Sequence, residues 1–248
     1  MTQRLDQRLV ASGHVPDLTT ARGLIMAGKV LVNDRPQVKC GFMIATDAII
    51  RLKDPPLPWV SRGALKLQEA LDQCNLDVTG CLCLDVGAST GGFTDLLLTR
   101  GAARVIALDV GYGQLAWKLS QDPRVVVMDR CNIRHLQPKD LPGPVDFLTA
   151  DLSFISLHQA LPAATLCLRP GGSGVVLIKP QFELTREKVE KGGVVTNPLH
   201  HQEAIERVQS LAADLELITI QILPSPILGP AGNREFLYCF SKKHPSQE

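Results

Sequence analysis

The segment Asp85-Val86-Gly87-Ala88-Ser89-Thr90-Gly91-Gly92-Phe93-Thr94 has the composition of a loop that receives a cofactor. Glycines at 87, 91 and 92 permit a tight turn and let backbone approach a bound molecule closely. A carboxylate at Asp109, 22 residues beyond Gly87 and at the end of the next apolar run, is placed to accept hydrogen bonds from ribose hydroxyls; Asp129 closes the run after that. Two cofactor classes fit. A dinucleotide site asks for G-x-G-x-x-G with a pyrophosphate at the helix N-terminus. The spacing here is G-x-x-x-G-G behind an acid, and Asp85 would repel a pyrophosphate but attract the cationic amino-acid end of S-adenosylmethionine. The second cofactor is therefore favoured, with Asp85, Gly87, Ser89, Gly91, Gly92, Phe93, Asp109 and Asp129 as its expected contacts.

Four further residues are charged where an apolar residue or a turn is expected. Asp151 ends the apolar run 145–150, and Lys179 ends Val175-Val176-Leu177-Ile178 directly before Pro180. Glu235 begins the run 236–240, and Lys66 lies in a helical stretch, off its apolar stripe of Ala64, Leu67, Leu71 and Cys74. A lysine that terminates a buried strand needs a reason. Lys66 by itself reads equally well as a solvated helix lysine.

The elements that must position these groups follow from periodicity. From Ser61 onward strand-like runs at 81–86, 105–109, 125–128, 145–150, 174–178, 218–223 and 236–240 alternate with helical stretches such as 93–99, 157–168 and 201–213. The alternation predicts an α/β domain with a doubly wound, mostly parallel sheet, whose ligands lie beyond the carboxyl ends of the strands at the topological switch point. Asp85, Asp109, Asp151 and Lys179 all fall at that edge. The first fifty residues differ: two short helices carrying Leu5, Leu9 and then Ala21, Leu24, Ile25, a strand at 30–32, a turn at 33–36 and a strand at 48–52 predict a small α+β module. Lys53-Asp54-Pro55-Pro56-Leu57-Pro58 cannot continue a helix or a central strand. The expected division is 1–53, a linker at 54–60, and 61–248.

Composition narrows the class. The chain has 248 residues, 45% of them hydrophobic and 21% charged, as in a globular protein and unlike a disordered or fibrous one. No apolar run approaches the ~18 residues of a membrane helix, and the start lacks a signal peptide's apolar stretch, so a cytoplasmic protein is expected. The seven cysteines include no C-x-x-C pair, which argues for reduced, buried thiols and no metal site. Net charge is only +1, yet residues 1–69 hold 10 Lys+Arg against 6 Asp+Glu, whereas the remainder holds 16 against 19. A basic head on a slightly acidic body fits a separate polyanion-binding module.

Six segments together resemble the TlyA family, and residues 61–240 taken alone resemble FtsJ-type RNA ribose 2′-O-methyltransferases. They are 60–67, 85–94, 109–115, 151–156 (Asp151-Leu152-Ser153-Phe154-Ile155-Ser156), 179–183 (Lys179-Pro180-Gln181-Phe182-Glu183) and 232–236 (Gly232-Asn233-Arg234-Glu235-Phe236). The resemblance implies a Rossmann-like methyltransferase domain behind a small RNA-binding domain. It further implies S-adenosylmethionine as cofactor and a tetrad of Lys66, Asp151, Lys179 and Glu235 around the acceptor hydroxyl. The implied reaction is 2′-O-methylation of cytidine in small- or large-subunit rRNA. Chemistry agrees: a ribose hydroxyl is a poor nucleophile, and a neutral Lys179 beside cationic Lys66 could take its proton. In the N-terminal module the family's Ser-Arg pair between the helices is replaced by Asp17-Leu18, and Lys39-Cys40-Gly41 stands where Lys-Pro-Gly is common. Arg4, Arg22, Lys29, Arg35 and Lys39 are the expected phosphate contacts.

Two other functions compete with this expectation. One is a dinucleotide-dependent oxidoreductase. The other is a membrane-active protein, because members of the family often carry the name hemolysin; no basic amphipathic helix supports it. The expected partners are rRNA or ribosomal subunits, with no membrane and no protein partner implied.

Overall fold

A computed structural model describes residues 2–53 and 57–244, so Asp54, Pro55 and Pro56 of the expected linker lie outside the described residues. The chain divides into two compact units, residues 1–58 and 59–248.

In the first unit, helices α1 (Leu5–Ala11) and α2 (Leu18–Met26) pack through Leu5, Leu9, Ala21 and Ile25, all fully buried. Asp17 caps α2 by accepting from the Thr20 amide at 2.8 Å, so its departure from the family pattern preserves helix initiation. Strands β2 (Val30–Val32), β3 (Arg35–Gln37) and β5 (Ile50–Leu52) form one antiparallel sheet. The β2–β3 hairpin turns through Asn33 and Asp34, both at positive φ. A second pair, β1 (Thr2–Arg4) with β4 (Met43–Ala45), was not expected from the sequence. Two three-residue strands without apolar alternation leave no period to detect.

In the second unit, strands β6 (Leu82–Val86), β7 (Arg104–Leu108), β8 (Val125–Met128), β9 (Val145–Ala150), β10 (Leu168–Ile178), β11 (Leu217–Pro224) and β12 (Phe236–Lys242) form one seven-stranded sheet. Their order is β11-β12-β10-β9-β6-β7-β8. The pairs among β6 to β10 are parallel, while β12 runs antiparallel to both neighbours. β10 begins six residues before the expected 174 and shifts register between Leu168 and Ser173, where Arg169-Pro170-Gly171-Gly172 interrupts the apolar run that announces a strand.

Helices cover both faces. On one, α3 (Ala64–Gln73) and α4 (Gly92–Thr99) pack on Cys83, Val105, Phe147 and Val175. On the other, α6 (Leu157–Cys167) and α8 (Pro198–Asp214) pack on Leu84, Ile106, Leu148 and Val176. Adjacent strand residues thus enter opposite cores, which is why these strands read as near-continuous apolar runs. Chain order reverses between β6 and β9, opening a crevice above their carboxyl ends.

Candidate active site

The glycine loop leaves β6 and enters α4. Gly87 sits at φ 81°, and a Cβ there would lie 2.7 Å from the Asp151 carbonyl oxygen, so only glycine lets the loop pass β9. Gly91, at φ 97°, precedes α4. Asp109 holds two loops at once, accepting from the Ser89 amide at 2.8 Å and the Gly111 amide at 2.7 Å. It lines a cavity of about 340 Å³ together with Gly87, Ser89, Val110, Gln114, Cys131, Ile133 and Asp151. Gly92 and Phe93 line an adjoining cavity of about 220 Å³.

Asp85 and Asp129 sit differently from their expected places. Asp85 lies beneath the loop, its carboxylate oxygens accepting from Thr94 Oγ1 at 2.7 Å and Thr149 Oγ1 at 2.9 Å. Burial pushes its carboxyl up to about 6, because a charged form stripped of water is disfavoured. Asp129 accepts from the Gly113 amide at 2.9 Å and is half-buried. Neither lines the cavity; each braces loops that do. Thr149 faces Asp85 across the β6–β9 register, a pairing that exists only once those strands are neighbours.

The four charged residues converge. Lys66, from α3, places Nζ 2.6 Å from Glu235 Oε2 and 3.2 Å from Asp151 Oδ2. Lys179 places Nζ 2.6 Å from Asp151 Oδ1 and donates to Ser153 Oγ at 3.1 Å. Both lysines are buried, so Lys66 is no solvated helix residue. Glu235 stands immediately before β12, one residue outside the strand, with its Oε1 against Gly229. Burial opposes the charge on Asp151, but the Lys179 and Lys66 ammoniums outweigh it and hold that carboxyl below the usual range. Two cations and two anions thus share one cluster, with Lys66, Asp151 and Lys179 lining the cavity of about 220 Å³ and Lys179 and Glu235 lining a third cavity of about 320 Å³. That third cavity is lined by Phe154, Phe182, Gly193, Asn233 and Glu235. Asn233 shapes its far wall, accepting from the Val195 amide at 2.9 Å and donating to the Gly193 carbonyl at 2.8 Å. Ser153 and Asn233 are site residues that the sequence reasoning did not single out; each sits in a segment that carried the family resemblance, which is the signal that marks them.

In the smaller unit, Arg4 and Arg22 meet at the buried Asp6, at 2.7 and 3.3 Å. Arg35 and Lys39 are exposed and Lys29 is half-buried. The Cys40 carbonyl accepts from the Asp6 amide at 3.3 Å, which brings the Lys39-Cys40-Gly41 turn beside Arg4.

Residues 59–242 match the family model for the FtsJ-like methyltransferase. The 16S/23S rRNA (cytidine-2′-O)-methyltransferase TlyA of Mycobacterium tuberculosis is 46% identical over 94% of this chain and 87% of its own length. The chain belongs to the FtsJ-like methyltransferases, in their TlyA branch. Hemolysin A of Brachyspira hyodysenteriae is 35% identical over 96% of this chain and 99% of its own. A candidate hemolysin from Streptococcus thermophilus, 40% identical, superposes with a TM-score of 0.77 over 98% of this chain and 89% of that one. Membership in a methyltransferase family displaces the oxidoreductase alternative. Among the described residues no helix is long and apolar enough to cross a membrane.

Proposed function

We propose that the enzyme methylates the ribose 2′-hydroxyl of cytidine in small- or large-subunit rRNA in the cytoplasm, with S-adenosylmethionine as methyl donor. The observation that carries this reading is the Lys66–Asp151–Lys179–Glu235 cluster, whose Asp151 reaches the cavity that suits the donor and whose Lys179 and Glu235 line the one that suits the acceptor.

The loop cavity suits the donor. Asp109 offers a carboxylate to ribose hydroxyls, Leu108, Val110 and Ile133 offer apolar walls to a base, and Gly87 lets backbone lie against the ligand. Bound there, S-adenosylmethionine supplies a methyl group on a positively charged sulfur. Lys179, when neutral, takes the proton of the attacking hydroxyl as the new O–C bond forms and the S–C bond breaks. Lys66, held by Glu235, contacts Asp151, which orients Lys179. Holding donor and acceptor in line supplies much of the acceleration. Residues 1–53 serve as the RNA-binding module through Arg4, Arg22, Lys29, Arg35 and Lys39, residues 54–60 as a linker and 61–248 as the catalytic domain.

The test is to map 2′-O-methyl groups in rRNA from cells with and without the gene, and to restore any missing group with purified enzyme and S-adenosylmethionine. Identical maps, or restoration of a base methyl instead, would overturn the assignment.

A further inference from the structure

Glu183 is a buried carboxylate, 4% exposed, that the methyl-transfer reading does not use. It ends the one-turn helix α7 (Pro180–Glu183), which starts directly after Lys179. Its Oε1 accepts from the Leu157 amide at 2.8 Å, and its Oε2, which makes no hydrogen bond, lies 3.6 Å from His158 Nδ1. Leu157 and His158 open α6.

Both ends of one loop are therefore gripped from the segment 179–183. At the loop's start Lys179 contacts Asp151 and Ser153; at its end Glu183 holds Leu157. Between them Phe154 is kept at φ 66°, a conformation a bulky residue adopts only when its surroundings impose it. Capping of α6 is divided between two residues, with Glu183 reaching the Leu157 amide from a separate element. Ser156 is the other, accepting from the His158 amide at 3.1 Å. Burial pushes the Glu183 carboxyl up, because a charge stripped of water is disfavoured.

We propose that Glu183 is a positioning residue for methyl transfer, pinning the far end of the 151–157 loop so that Asp151 and Ser153 meet Lys179. The inference rests on the reading of Lys179 as the group that handles the acceptor proton. The competing role is a plain strut between α6 and α7.

The experiment uses the full chain with unmethylated ribosomal subunits and labelled S-adenosylmethionine under single-turnover conditions. Glu183→Ala is expected to slow transfer about 10- to 100-fold, the scale of a ~1 Å misplacement, while the dissociation constant for S-adenosylhomocysteine stays within about twofold of wild type. Glu183→Gln keeps a carbonyl acceptor for Leu157 and is expected to restore the rate to within about threefold. Hydrogen exchange is expected to show the Leu157 amide losing protection in the alanine variant and keeping it in the glutamine variant. If Glu183→Ala does not fold, Glu183→Asp withdraws the acceptor by one methylene and is expected to show the same slow rate. A folded alanine or aspartate variant with wild-type rate would overturn the proposal. So would equal losses of rate and cofactor affinity, the mark of a strut, or a glutamine variant that stays slow with Leu157 protected. A wild-type chain that transfers no methyl would instead defeat the proposed function, and exchange at 151–157 would still decide whether Glu183 holds the loop.

Discussion

Asp6 in the small unit and Asp151 in the large one are each held by two cations, yet the two trios are built inside out. Asp6 is fully buried while its partners Arg4 and Arg22 keep 44% and 52% of their side chains in solvent. Asp151 is 21% exposed while Lys66 and Lys179 keep only 7% and 8%. In the first trio about half of each cationic side chain stays in water, as suits a phosphate backbone. In the second the lysines are buried and their ammonium groups are met by Asp151, Glu235 and Ser153. The difference lies in the cations: those around Asp6 stay in water, and those around Asp151 are buried.

The sharpest way to break this contrast is at Lys179. Lys179→Ala is expected to lower single-turnover methyl transfer by ~10²- to 10⁴-fold with both substrates still bound. Lys179→Arg is not expected to rescue, since arginine keeps its proton. Near-wild-type turnover in the alanine variant would remove Lys179 from the chemistry, and recovery in the arginine variant would reduce it to an electrostatic clamp.

The RNA-binding role proposed for the small unit is tested by a chain beginning near Trp59. It is expected to bind S-adenosylhomocysteine normally and to lose most of its rRNA affinity. The slope of log affinity against log salt becomes shallower by about 0.7 to 0.9 for each phosphate contact removed. An unaltered affinity and slope would assign the small unit another partner.

Asp109→Ala is expected to weaken S-adenosylmethionine binding by ~1.5 to 3 kcal/mol, about 10- to 100-fold, by calorimetric titration. Because Asp109 also holds the Ser89 and Gly111 amides, faster exchange at those two positions is expected alongside. An unchanged dissociation constant would take Asp109 out of the donor site.

The smallest effects are two pH dependences of opposite sign. The Arg4 hydrogen bond holds the Asp6 carboxyl down at about 2, against 3.8 for a free side chain. Its contribution to stability is therefore complete above about pH 4 and is lost as pH falls toward 2. Asp85, raised by burial to about 6, contributes stability that is complete below about pH 4 and is lost as pH rises through 6. Unfolding followed from pH 2 to 7 is expected to show Asp6→Asn flattening the acid limb in the small unit. In the large unit Asp85→Asn should remove the decline between 4 and 6, each by a few degrees in Tm. A wild-type-like pH profile in either variant would refute the corresponding assignment.

Much of the large unit was legible because parallel strands covered on both faces are apolar throughout. A charge at such a strand's end, as at Asp109, Asp151 and Lys179, is conspicuous for its cost. Lys66 was not legible in the same way. Helical periodicity sets it apart from Leu67 and Leu71, while its partners Asp151 and Glu235 are 85 and 169 positions away. The β1–β4 pair escaped notice because three polar-flanked residues on each side carry no alternation. The resemblance to TlyA supplied what periodicity could not, namely that these distant charges belong together.

From the sequence by itself came the alternation of strand and helix, the glycine loop, the acids at strand ends and the basic head, since each depends on residue type at short spacing. Tertiary structure alone decided which carboxylate faces the cavity and which is buried. Asp85 and Asp109 end adjacent strands and look equivalent in the chain. Yet the first points down between Thr94 and Thr149 and the second into the cavity. Side chains alternate across a strand, and neighbouring strands are set in register only when the sheet forms. The direction a charged group faces, and hence whether it organises the fold or meets a ligand, is a property of that register.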